Sequence, residues 1–337
     1  MSRWISIHIF HGRDPRALLL ECVAPMLAEL HTDGMIERYF FVRYWEGGPH
    51  VRLRIVHSRG AEERVKRVLE ARLQDFLSKK PVFFELPDVS QQWWRRSFVL
   101  EYGEEELYRR YGPEGIITRY PQNTFHYIPY EPEFERYGGT EGMEVSERHF
   151  HVSSQMVLDR LTWDNMHASG IRIAQTLQFM LGLCFAFLET EEAVARFFRE
   201  YAMSWYRRFF DGKANVLTAD VLPRADLALT QASDRIQRAA RDFQEGTSQV
   251  ITEKDAEWVA HARGLRDELK MLIREGRIRV PNHLGEATAE AGALHSLIVL
   301  LFSYVHMTNN RLGASLSEEV SMAYLISRSL EPQRAVV

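Results

Sequence analysis

The character of this chain changes near Glu147, from a mixed, sheet-rich half to long amphipathic helices, and that change limits the folds open to it. Before it, short stretches that alternate apolar and polar residues, as strands do, are interspersed with two helical segments; after it, apolar residues recur every three or four positions over long runs, as helices do. Alternation marks strands at Trp4 to Phe10, Arg38 to Tyr44 and His50 to Val56, with further strand candidates at Val82 to Leu86, Ser97 to Tyr102 and Thr124 to Tyr130. Asp14-Pro15 starts a helix that runs to about Leu30, with the acid as cap and the proline in the first turn, and a charged helix follows from about Ala61 to Ser78. The second half predicts helices near Arg148–Leu161, Ile171–Leu188, Glu191–Phe210, Ala225–Glu245, Glu253–Glu275, Glu286–Asn310 and Leu316–Ser329. No linker and no fixed-period repeat separates the halves. The expectation is an α+β fold, a sheet-rich N-terminal half packed with a largely α-helical C-terminal half in a single compact body. It forms one domain over residues 1–337, with a mixed β/α lobe at 1–147 and a helical lobe at 148–337.

Composition removes several classes of function. A net charge of -4 argues against a broad phosphate-binding surface. The only two cysteines, Cys22 and Cys184, sit in apolar helix-like segments, so they build neither a disulfide framework nor a zinc site, which suits a reducing cytoplasm. The N-terminus alternates where a signal peptide would be continuously apolar, and the longest apolar run, Leu297 to Val305, is too short to span a bilayer. No phosphate-cradling glycine loop with its lysine and no Gly-x-Ser-x-Gly elbow is present, and Gly112-Pro113-Glu114-Gly115 is only a turn. His8 and His11, like His149 and His151, lack the spacing of a helical metal site, so no metal or other cofactor is expected. Trp93-Trp94-Arg95-Arg96 offers aromatic stacking beside basic residues, but two tryptophans ahead of a strand also suit packing with a basic edge.

Three segments carry chemistry. In the strand from His50 to Val56, Val51, Leu53 and Ile55 face one way and His50, Arg52 and Arg54 the other. Arginines two apart on a strand stand about 7 Å from each other, and their guanidinium forks suit a carboxylate or a developing oxyanion. An exposed cationic strand face is the bland alternative. Tyr130 to Gly139 packs three acids, Arg136 and a Gly-Gly into ten residues: an acidic surface loop, or a cleft wall where Glu133 and Arg136 face one pocket. His306, near the end of the most apolar helix, ends a stripe through Phe302, Val299 and His295, where it is either a hydrogen-bonded core residue or a proton carrier.

Together, Phe41-Val-Arg-Tyr-Trp-Glu-Gly-Gly-Pro-His50-Val-Arg52-Leu-Arg54, Tyr130-Glu-Pro-Glu133-Phe-Glu-Arg136-Tyr-Gly-Gly and His306-Met-Thr-Asn-Asn310-Arg311 resemble the C-terminal domain of lantibiotic dehydratases, also called thiopeptide-type bacteriocin biosynthesis proteins. The resemblance extends to the opening Trp4-Ile-Ser-Ile-His-Ile-Phe10 and covers essentially the whole chain, weakening between about 190 and 285. It implies glutamate elimination. In that family a separate domain esterifies Ser or Thr of a ribosomally made precursor peptide with glutamate from glutamyl-tRNA, and the C-terminal domain expels the glutamate to leave dehydroalanine or dehydrobutyrine. The chain then resembles the standalone half of a split dehydratase, with a separate glutamyl-tRNA-dependent partner and no tRNA contact or membrane of its own. By motif, the resemblance places His306, Glu133 and Arg52 in catalysis and Arg54, Arg136 and His50 in substrate binding, in one anion-accepting cavity. It implies His306 in proton transfer, the arginines on substrate anions and developing charge, and Glu133 in orientation or relay.

Two rivals remain. Relatives of this size include pyridine synthases, which join two dehydroalanines in a formal [4+2] cycloaddition and chiefly need positioning. The other rival is a noncatalytic module that holds a leader peptide. The apolar helix face from Phe179 to Phe187 fits internal packing or a homodimer equally.

Overall fold

In the computed structural model, the described residues are 3–12, 14–83, 90–163, 165–210, 221–245, 252–280 and 289–331. They form an α+β fold whose chain divides into two compact units, Met1–Pro132 with Phe150–Trp163, and Glu133–His149 with Asp164–Val337.

The first unit is built on strands β1 (Trp4–Phe10), β2 (Ile36–Tyr44), β3 (His50–His57) and β4 (Thr124–Tyr127). They pair antiparallel in the order β2-β3-β1-β4, which places β3 and β1 in the centre. Alternation therefore separates two buried faces. Ile5, Ile7, Ile9, Phe41, Val51, Leu53 and Ile55 share one and are buried to 3 % exposure or less. Each such side chain contributes about 1.5–3 kcal/mol of transfer free energy. Three helical segments belong with this layer: a π-helical turn at Leu18–Val23 that continues into α1 (Ala24–Thr32), and α2 (Glu62–Lys79). The helix expected after Asp14-Pro15 is thus present, with its first turns wound as π-helix.

One strand expectation fails. Ser97 to Tyr102 lies in helix α3 (Gln91–Tyr102), followed by α4 (Glu104–Tyr111). Ser90 caps α3 by accepting from the Trp93 amide, and Trp94 and Phe98, one turn apart, enter a buried cluster with Leu107 and Ile117. The alternation of Phe98, Leu100 and Tyr102 is a short-window coincidence, overruled by a helical stripe that finds an apolar partner. The strand expected at Val82 to Leu86 falls largely outside the described residues, and Val82 and Phe83 belong to no strand.

The second unit is helical. Helix α5 (Thr140–Leu161) begins eight residues before the expected Arg148, and residues 140–149 belong to this unit. Gly142 lies in its first turn because a Cβ there would fall 1.8 Å from the Tyr137 carbonyl oxygen. The remaining helices are α6 (Ser169–Leu188), α7 (Glu191–Phe209), α8 (Val221–Glu245), α9 (Glu253–Arg274), α10 (Ala289–Leu312) and α11 (Leu316–Leu330). Helix α11 packs on α7 and α8, and α6 packs on α9, α10, α8 and α7.

Helix α6 is more apolar than α10, which holds the run at Leu297 to Val305. It is 20 residues long and an 18-residue stretch of it has mean hydropathy 1.6, enough to cross a membrane by length and composition alone. Phe179 to Phe187 are buried, and the Trp258 indole N–H on α9 donates to the Phe179 carbonyl at 3.1 Å. Core packing within the unit accounts for that apolar face.

Candidate functional site

Cross-strand pairing sets Phe40, Tyr44, His50, Arg52, Arg54, Ser6, His8 and His126 on the second face of the sheet. That face is not the exposed cationic strip the sequence also allowed. His50 is 5 % exposed and Arg54 6 %. The hairpin between β2 and β3 supplies what holds it: Gly47, at φ +77°, brings the turn so close that a Cβ would meet the Thr118 carbonyl at 2.7 Å.

Arg52 is anchored on three sides. Its Nε–H donates to His50 Nε2 at 3.1 Å, its Nη2 donates to Glu46 Oε2 at 2.8 Å, and its Cζ lies 3.4 Å from the centroid of the Tyr44 ring. His50 Nδ1–H in turn donates to the Gly48 carbonyl at 2.7 Å, which fixes the tautomer that leaves Nε2 as an acceptor. A neutral imidazole is consistent with the environment, since burial and then the Arg52 charge push His50 down to about 3. The other Glu46 oxygen accepts from the Tyr111 hydroxyl. Glu46 thus ties Arg52 to α4, and burial followed by the Glu46 charge holds the Tyr111 phenol well above its ordinary range.

Arg54 is different. Its guanidinium lies 5.3 Å from the centroid of the Tyr130 ring, and its Nη1 is buried without a hydrogen-bond partner. No acid pairs with it among the described residues. Burial, then Arg52, push it down to about 9, which leaves it charged at neutral pH. His8 stacks on His50 with ring centroids 4.9 Å apart, and its Nε2 is likewise buried without a partner. Burial, then Arg52 and Arg54, keep His8 neutral far below its usual range.

Glu133, Arg136 and His306 belong to the second unit. Arg136 Nη1 donates to Glu133 Oε2 at 3.0 Å, so the pair expected to face one pocket meets directly. Arg136 Nε–H also donates to Ser303 Oγ at 3.1 Å, one turn of α10 before His306. His306 Nδ1 lies 3.1 and 3.2 Å from the two carboxylate oxygens of Glu319 on α11. Its ring centroid is 4.8 Å from that of Trp205, and its side chain keeps 24 % exposure. Glu319 is 1 % exposed and also accepts from the Tyr201 hydroxyl on α7.

Glu46, Tyr111, Glu319 and Tyr201 were not singled out from the sequence. Glu319 had a legible signal: with Met322, Ala323, Ile326 and Leu330 it occupies the buried stripe of α11, an acid where apolar residues belong. Its neighbour Glu318 points elsewhere, closing a capping box with Ser315 and pairing with Arg172 through both oxygens at 2.6 and 2.9 Å. Glu46 had no such signal, because only the hairpin register folds it back toward Arg52. Among the described residues, no group of three or more His, Cys, Asp or Glu side chains is arranged to hold a metal ion.

Comparison with known proteins agrees with this architecture. "Pyridine synthase, TbtD, from thiomuracin biosynthesis" shares the fold at TM-score 0.72 and 18 % identity, covering 97 % of each chain. TsrL shares it at TM-score 0.68 and 19 % identity, covering 97 % of this chain and 94 % of the other. The tRNA-dependent lantibiotic dehydratase MibB from Microbispora sp. 107891 matches at TM-score 0.53 and 16 % identity, covering 97 % of this chain but 28 % of its own. No curated protein matches the chain in sequence. The family profile described as lantibiotic biosynthesis dehydratase C-term matches residues 4–330, and the chain belongs to that family.

Proposed function

We propose that this chain eliminates glutamate from glutamylated Ser or Thr residues of a ribosomally made precursor peptide, after a separate glutamyl-tRNA-dependent enzyme has added it. Arg54 carries the reading: a residue 6 % exposed whose Nη1 is buried without a hydrogen-bond partner, with no acid beside it among the described residues. Burying an uncompensated charge costs several kcal/mol, and a substrate carboxylate offsets that cost. Glutamate esterified through its α-carboxyl keeps a free γ-carboxylate for such a cation.

The reaction breaks the Cα–H and Cβ–O bonds of the acylated residue, forms the Cα=Cβ bond, and releases glutamate as a carboxylate. A base takes the Cα proton, and cations stabilise the enolate-like charge and the leaving group. His306 fits the proton carrier, since its Nε2 makes no hydrogen bond among the described residues while Nδ1 is held. Arg52, Arg54 and Arg136 fit the substrate anions and the developing negative charge, and Glu133 fits the orientation of Arg136 through their 3.0 Å pair.

A second reading is a formal [4+2] cycloaddition between two dehydroalanines, supported by the likeness to a pyridine synthase over 97 % of each chain. Intact mass of glutamylated precursor after incubation with the protein separates them. Loss of glutamate, abolished by Arg54→Ala or His306→Ala, is the expected result. An unchanged mass there, with macrocycle formation from a fully dehydrated peptide, would replace elimination by cycloaddition; unchanged peptide in both assays with retained binding would leave a recognition module.

A further inference from the structure

We infer that Glu319 is the positioning residue of the proton carrier: its carboxylate selects the Nδ1–H tautomer of His306 and leaves Nε2 as the lone pair that takes the proton. The inference rests on the elimination reading for its catalytic consequence, but its geometric part stands alone.

A free imidazole interconverts its tautomers readily, and only one presents a lone pair at a given nitrogen. Both Glu319 oxygens lie within 3.2 Å of His306 Nδ1, and an ionised carboxylate only accepts, so Nδ1 must be the donor. The carboxylate is itself fixed. It is 1 % exposed, it accepts from the Tyr201 hydroxyl, and α11, which carries it, packs against α7, which carries Tyr201. A buried acid on the apolar stripe of a helix costs stability unless it is satisfied, and here its partners are a phenol and an imidazole. Trp205, on α7 one turn beyond Tyr201, covers the ring at 4.8 Å between centroids and holds its plane. The hydrogen-bonded half of the imidazole therefore faces a fixed carboxylate, while the side chain keeps 24 % exposure.

Selective 15N labelling of the histidines tests the geometry without reference to turnover, with His306→Gln identifying the resonance. The expected wild-type pattern is a protonated Nδ1 and an unprotonated Nε2. In Glu319→Gln, whose amide can accept or donate, the His306 signals should move toward a mixture of tautomers, and in Tyr201→Phe by less. On glutamylated peptide, Glu319→Gln should lower kcat on the order of 100-fold while KM changes within about twofold, as expected when a group acts only through the base. Glu319→Asp should recover part of the loss. A wild-type spectrum with the proton on Nε2 would overturn the inference, as would an unchanged kcat in a folded Glu319→Gln protein. Absence of elimination in the wild type would defeat the functional reading while the 15N result still decided the role of Glu319.

Discussion

Glu46 should be energetically coupled to Arg52, and the size of that coupling can be worked from their contacts. Glu46 is 7 % exposed and accepts from Arg52 Nη2 at 2.8 Å and from the Tyr111 hydroxyl. A hydrogen bond to a charged group contributes about 1.5–3 kcal/mol, and an orphaned buried partner adds about 1–3 kcal/mol of desolvation. Removing one member of a fully buried ion pair costs about 3–5 kcal/mol. The Arg52 side chain is 19 % exposed, so water recovers part of this, and Glu46→Gln should cost about 2–3 kcal/mol. With Arg52→Gln as the second arm of a double-mutant cycle, the coupling should be about 1.5–2 kcal/mol, because the double variant leaves no unpaired charge. Urea unfolding followed by tryptophan fluorescence is a suitable assay: Trp45 and Trp94 stack with centroids 5.5 Å apart in the same unit, and Trp45 donates to Glu101 at 3.0 Å. A coupling below about 0.5 kcal/mol, the range of exposed pairs, would refute the claim that Glu46 holds Arg52.

Acid should destabilise the fold earlier than carboxylate protonation requires. His50 is pushed down to about 3 by burial and Arg52, and His261 down to about 4 by burial, against about 6.5 in an unfolded chain. Their contribution is complete above about pH 6.5 and is lost as pH falls toward those values, because the unfolded state binds protons that the folded state refuses; the limiting slope is about 1.4 kcal/mol per pH unit for each histidine. Unfolding midpoints at several pH values between 7.5 and 4.5 measure this, His50→Gln should flatten the dependence, and a flat wild-type profile would contradict it. Gly142→Ala should strongly impair folding, since its Cβ would overlap the Tyr137 carbonyl, whereas Gly264→Ala, on an open stretch of α9, should stabilise by about 0.5–1 kcal/mol; thermal unfolding of the two variants distinguishes a required glycine from a tolerated one.

Periodicity alone determined most of the element order. The strand at His50, the side of it that carries Arg52 and Arg54, and the helices of the second half follow from spacing, because side chains must alternate on a strand and repeat by three or four on a helix whatever the neighbours are. The helix start at Thr140 was not legible from spacing, because the close approach of the Tyr137 carbonyl to Gly142 in the first turn is a contact of the folded backbone. The segment at Ser97 was misread because six residues satisfy both periods, and only the cluster of Trp94 and Phe98 with Leu107 and Ile117 chooses between them. The candidate chemistry divides along the same line. The types of the residues, guanidinium, imidazole and carboxylate, were in the sequence. Which of them are used on one another, as Arg52 is on Glu46 and His306 on Glu319, and which stay unpaired in a buried place, as Arg54 does, depended on the register of the β2–β3 hairpin in the first case and on the turn from α10 into α11 in the second. Such pairings depend on strand register and on how consecutive elements turn back on one another, and residue spacing alone does not encode that.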